Sequence, residues 1–116
     1  MLKELLKEHL TDEIAKVFFY EGDELLGESD RLVDLEPEYR ETPDIPEALL
    51  GVSFRVIEVE GGNEGGGEHQ HTVVEFILGY ESVLVLITGW YYSYDGSHYD
   101  DWCFAKAVPA IEYIPE

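Results

Sequence analysis

His69 and His71 stand two residues apart, the spacing that puts two imidazoles on one face of a β-strand, and His98 follows in an Asp-Gly hairpin. Imidazole nitrogens in such an arrangement are ligands for zinc-class ions. Three histidines among this many carboxylates also arise without any metal, so neither a metal nor another cofactor is expected. Asp95, Asp100 and Asp101 gather oxygens near the same hairpin, but D-G-S-H-Y-D-D lacks the alternating ligands and late Glu of a calcium loop. They read as one turn aspartate and two exposed acids.

Cys103 is the only cysteine, which rules out an intrachain disulfide and fits a reducing compartment. A catalytic thiolate needs positive surroundings, whereas the charges nearest in sequence are Asp100, Asp101 and Lys106. Cys103 therefore reads as a small core residue. The chain has no nucleophile elbow, no HExxH and no dinucleotide fingerprint. The glycine-rich run GGNEGGGE at 61–68 lacks the lysine and hydroxyl of a phosphate-binding loop and reads as a flexible connection. No catalytic residue emerges, and the protein is not expected to be an enzyme.

Charge carries more information. Twenty-six acidic residues against seven basic ones give a formal charge of −19. Such a field repels nucleic acid and anionic membranes, and it draws in basic proteins. The acids are densest between residues 21 and 47, where Glu36, Glu38 and Glu41 follow one another closely. Glu58 and Glu60 sit at alternate positions of an expected strand and so repeat at roughly 6.7 Å, comparable to phosphates along a nucleic-acid strand. Tyr92, Tyr94 and Tyr99 stand among Asp95, Asp100 and Asp101, a composition suited to a Lys- and Arg-rich partner through ion pairs and cation–π contacts.

These residues point to a small acidic inhibitor that mimics DNA. Its partner would be the basic nucleic-acid-binding surface of a nuclease, a repair enzyme, or a CRISPR or restriction effector. Two other readings use the same features. One is an assembly protein whose aromatic edge mediates oligomer contacts, and the other is an immunity protein for a basic toxin nuclease. A monomer and a homodimer are both compatible with the sequence.

The elements that must position these groups form a single α+β domain over 1–116, with four antiparallel strands at 52–60, 69–78, 83–94 and 97–114. VLVLIT from Val83 is apolar at both parities, as in a strand covered on both faces. Thr72, Val74, Phe76 and Leu78 alternate with His71, Val73, Glu75 and Ile77 in the strand before it, and Gly79 to Ser82 make the reversal. A two-residue Asp95-Gly96 turn pairs Tyr92 with Tyr99, Tyr91 with Asp100 and Trp90 with Asp101.

Leucines and other apolar residues from Leu2 to Phe18 recur at helical steps, giving a helix over 2–16 with a kink or restart near Thr11. VFFY at 17–20 is expected to leave it. The helix is expected over Leu84 and Leu86, facing the small residues Cys103, Ala105 and Ala107. Residues 21–51 form an ordered acidic connection ending in one short helical turn at 44–51, and a bulge is expected near Val56. Pro109 marks the last strand as an edge or a bulged strand.

The run GWYYSYDGSHYDDW, Gly89 to Trp102, resembles the Ser-Tyr-Asp-Gly hairpin of small acidic, mostly uncharacterised phage-encoded proteins. The resemblance covers these 14 residues. It implies a phage setting, in which counter-defence proteins that mimic DNA are common, and it transfers no functional residues. MLKELLKEHL has lysines throughout and no uninterrupted apolar core, so no signal peptide is expected. The expected location is the cytoplasm, that of the host cell for a phage-encoded protein.

Overall fold

Apolar residues at three- and four-residue steps give two helices, with the expected restart falling at Thr11. In the computed structural model, which describes residues 1–61, 68–92, 94–108 and 112–116, α1 spans Leu2–His9 and α2 spans Asp12–Tyr20. Leu10 is extended between them, and the Thr11 hydroxyl oxygen accepts the Ile14 N–H at 3.3 Å, capping α2. VFFY does not leave the helix: Val17, Phe18 and Phe19 are buried within α2. A one-turn helix α3, Gly22–Leu25, follows directly.

The sheet is antiparallel, as expected, but among the described residues it has six strands instead of four. They are β1 (Ser29–Arg31), β2 (Ser53–Glu60), β3 (Glu68–Leu78), β4 (Glu81–Tyr92), β5 (Gly96–Val108) and β6 (Glu112–Pro115), adjacent in chain order. β1 arises inside the acidic connection, where Ser29, Asp30 and Arg31 pair with Arg55, Phe54 and Ser53. Its attachment is through the backbone: the Leu32 N–H donates to the Val52 carbonyl at 2.8 Å, and Val56 N–H to Glu28 at 3.0 Å. The expected strand over 97–114 doubles back, so that Ala107 pairs with Tyr113. Pro109 and residues 62–67 of the glycine-rich run lie outside the described residues.

Two registers also differ from expectation. Leu78 pairs with Glu81, leaving only Gly79 and Tyr80 for the first reversal. In the second, Tyr92 pairs with Gly96, Tyr91 with Ser97 and Trp90 with His98, so Gly96 belongs to the ladder and Asp95 to the turn before it. Asp95 N–H donates to the Tyr92 carbonyl at 3.1 Å, and Gly96 supplies the positive φ of 84° that follows a turn of this kind.

The helices cover the face bearing Val56, Val74, Phe76, Val85 and Ile87. Phe18 meets the rings of Phe54 and Phe76 edge-on, with centroids 5.1 and 5.9 Å away. Each fully buried side chain of this size contributes about 1.5–3 kcal/mol relative to exposure. This corrects the expected placement over Leu84 and Leu86. Leu86, Val73 and Ala105 form a smaller patch on the opposite face, flanked by Leu84 and Cys103. Because β4 is apolar at both parities, its own sequence does not choose a face; pairing with Thr72, Val74 and Phe76 does. Gly89 lets α2 sit down closely, since a Cβ there would lie 2.4 Å from Phe19 Cζ and 2.1 Å from the His98 carbonyl oxygen.

Candidate functional site

At the β1 edge the chain turns a run of acids into a concavity. Glu21 ends α2 and begins α3, and it is buried, with 2% of its surface exposed. Its Oε1 accepts the N–H of Glu38 at 2.5 Å and that of Tyr39 at 3.3 Å, drawing the acidic segment over the helix end. Its Oε2 is buried with no hydrogen-bond partner among the described residues. Around it Glu24, Glu28, Asp30, Asp34, Glu36 and Glu38 line a cavity of about 270 Å³. Leu25, Leu35 and Phe54 supply its apolar part, and among the described residues no basic side chain lines it. Asp30 faces this way because it pairs with Phe54 across β1 and β2. Arg31 lies alongside, its Nε donating to Asp34 at 2.9 Å.

Of the residues singled out from sequence, Glu36 and Glu38 belong to this concavity, whereas Glu41 lines a separate groove with Thr11, Glu13, Tyr39 and Arg40. Glu21, Glu24, Glu28, Asp30 and Asp34 were not among the expected binding residues. The density of acids in their segment signals them; what brings them together is β1, which has no apolar signature.

The expected Glu58 and Glu60 lie across the sheet, on the face away from the helices. A register shift between Val56 and Glu58, the anticipated bulge, sets Glu58 opposite Val73 and Glu60 opposite His71. The two carboxylates do not stand free like a pair of phosphates. His71 Nε2 lies 2.9 Å from Glu58 Oε2 and 3.6 Å from Glu60 Oε2. His69 packs edge-on against Trp90 beside them, with ring centroids 5.5 Å apart.

The hairpin supplies a third group. Trp90, Tyr92 and Tyr94 are exposed, and Tyr92 meets the rings of Tyr94 and His98 at 6.4 and 5.6 Å. His98 Nε2 is 2.9 Å from Asp95 Oδ2, so it joins neither His69 nor His71. Asp100 is the extra residue where the register shifts after Thr88, and it is exposed together with Asp101. Asp101 Oδ1 accepts the Trp102 N–H at 2.8 Å.

Tyr99 does not join this surface. It is partly buried against α2, its N–H donating to the Tyr20 hydroxyl oxygen at 2.9 Å and its own hydroxyl donating to Asp12 Oδ1 at 2.8 Å. Burial first, then the Asp12 hydrogen bond, raises its pKa. Tyr99 pairs with Gly89, on the helix side of β4, rather than with Tyr92 as a two-residue turn would have it, and only past the extra residue Asp100 do even positions of β5, Trp102 and Phe104, take over that face. Cys103 is partly buried, and burial, then Asp101 and Glu116, pushes its thiol up, opposite to what a thiolate nucleophile requires. The acids named from sequence thus occupy four places. Only the β1-edge concavity combines many carboxylates with an apolar floor.

Among the described residues no helix is long and apolar enough to cross a membrane. No protein-family model, no curated protein and no solved structure matches this chain.

Proposed function

We propose that this chain is an acidic inhibitor that occupies the basic nucleic-acid-binding surface of a nuclease, a repair enzyme, or a CRISPR or restriction effector, standing in for DNA. The observation that carries the reading is the concavity around Glu21. Its partly exposed Leu25, backed by the buried Leu35 and Phe54, suits the methylene stem of an entering Lys or Arg, while the carboxylates of Glu24, Glu28, Glu36 and Glu38 meet the charged head. The unpartnered Glu21 Oε2 adds a reason for a cationic donor to enter, since a buried acceptor left unsatisfied costs about 1–3 kcal/mol. The remaining acids would set encounter rate and salt dependence more than affinity. The hairpin resemblance supports a phage origin and a host-cytoplasmic site of action.

Displacement of DNA tests this. A labelled duplex held by a basic enzyme of each class is titrated with the chain, and the expected result is release of the duplex by at least one class. Reversing Glu36 and Glu38 to Lys is expected to weaken release by at least about tenfold, or 1.4 kcal/mol, with the circular dichroism spectrum unchanged. Equal release by the reversed variant, or none by the wild type, removes the inhibitor reading.

One observation favours a second reading. Trp90, Tyr92 and Tyr94 expose aromatic surface on the face the helices leave open, as an assembly contact would. A stable homo-oligomer by size exclusion, dissociated by W90A/Y92A, would put assembly in place of inhibition. An immunity protein against a basic toxin nuclease would use the same concavity on a different partner.

A further inference from the structure

Glu58, Glu60 and His71 bring three metal-ligating side chains to one point on the sheet face that carries no helix. Their ligand atoms all lie within 4.8 Å of one another, the one such group among the described residues. In a tetrahedral zinc site with bonds of 2.0–2.1 Å, two ligand atoms stand about 3.3 Å apart. The His71 Nε2 separations from Glu58 Oε2, 2.9 Å, and from Glu60 Oε2, 3.6 Å, bracket that value. The two distances from His71 are therefore close to those an ion would impose, and the two carboxylates, within 4.8 Å of each other, need only a side-chain adjustment to complete the set.

The backbone has been shaped to reach this arrangement. Without the extra residue between Val56 and Glu58, a strict alternation from Phe54 and Val56 would turn Glu58 toward the helices. Gly61, at φ 89°, leaves β2 so close to β3 that a Cβ would lie 2.1 Å from the His69 carbonyl oxygen. No other residue type fits there without moving the strand that carries His69 and His71. His71 is only 16% exposed and Glu58 28%, so two of the three groups are held by their surroundings.

We propose that Glu58, Glu60 and His71 bind a divalent first-row transition-metal ion of the zinc class. Two carboxylates and a neutral imidazole balance a dication, and this N/O donor set suits zinc better than magnesium or calcium, which take oxygen ligands alone. The ion takes the place of the His71–Glu58 hydrogen bond and clips the end of β2 to β3. His69, two residues along the same strand, has its ring centroid 6.1 Å from that of His71 and stands outside the three-ligand group. This inference does not depend on the inhibitor reading, because it uses the opposite face and different residues.

The experiment is a zinc titration of the full chain, read by calorimetry and by histidine side-chain nitrogen resonances. The expected result is one equivalent bound, with the His71 Nε2 resonance displaced and no displacement by magnesium at the same concentration. His71→Ala is expected to lower affinity by about 100-fold or more, since loss of even a residue that merely orients a ligand costs 10–100-fold. Glu60→Gln alters an exposed side chain, leaves the fold intact and is expected to lower affinity in the same direction. A His71 resonance that zinc does not move, or H71A and E60Q variants binding zinc as tightly as the wild type, would overturn the proposal and assign the uptake to scattered surface carboxylates.

Discussion

Glu21 and Glu38, seventeen residues apart, are joined by a hydrogen bond of 2.5 Å from the Glu38 N–H to Glu21 Oε1. One buried carboxylate thereby fastens the acidic segment over the end of α2. Replacing Glu21 with Ala strands the N–H groups of Glu38 and Tyr39 and is expected to cost about 1–3 kcal/mol in urea unfolding. Glu21→Gln keeps an acceptor and removes a buried charge, so its stability should match or exceed the wild type at pH 7. Equal losses in both variants would mean that the charge, not the acceptor, does the fastening.

Tyr99 links stability to alkaline pH. Its pKa in the folded protein is raised above the ordinary 10.0, by burial and then by the hydrogen bond to Asp12. A group raised in this way contributes fully below its unfolded pKa and loses that contribution as pH climbs through the folded value. Tyr99→Phe should therefore cost about 1 kcal/mol at pH 7, with the gap to wild type closing above about pH 10. Urea midpoints of both proteins across that range check it; a gap independent of pH would contradict it.

Cys103 should be a slow nucleophile. Its thiol is raised by burial and by Asp101 and Glu116, so less thiolate is present at pH 8 than in a free cysteine. Alkylation by iodoacetamide is expected to run slower than that of a cysteine-containing peptide. D101N should quicken it, and a rate above the peptide's would count against the assignment.

Gly89→Ala should destabilise by about 2–3 kcal/mol, because the new methyl meets both the Phe19 ring and a backbone carbonyl that has no freedom to rotate away. Thermal or urea unfolding measures this. A neutral outcome would mean that α2 does not lie on β4 as closely as 2.4 Å implies.

How much of this was legible depends on whether a residue's environment is written in its neighbours. The alternation Thr72, Val74, Phe76 marks the helix-covered face of β3 outright. Carried across an antiparallel register, it also selects Val85 and Ile87 over Leu84 and Leu86 in β4. That inference needs the register, and VLVLI read alone is equally apolar on both sides. β1 left no trace of its own because Ser29, Asp30 and Arg31 are all exposed and are held by backbone pairing. For the same reason, acid density marked the segment containing Glu36 and Glu38 but not its convergence on Glu21. The bulge before Glu58 was visible as a change of parity; that Glu58 and Glu60 would then converge on His71 required the partner strand.

The central claim is that carboxylates around Glu21 are recognised collectively by a cationic protein. The most direct measurement is the salt dependence of affinity for the basic enzyme whose duplex the chain releases, compared between the wild type and E24Q/E28Q/E36Q/E38Q. The expected wild-type plot of log affinity against log salt falls steeply, with weaker binding and a shallower slope for the variant. Identical slopes and affinities for the two proteins would contradict recognition through this concavity.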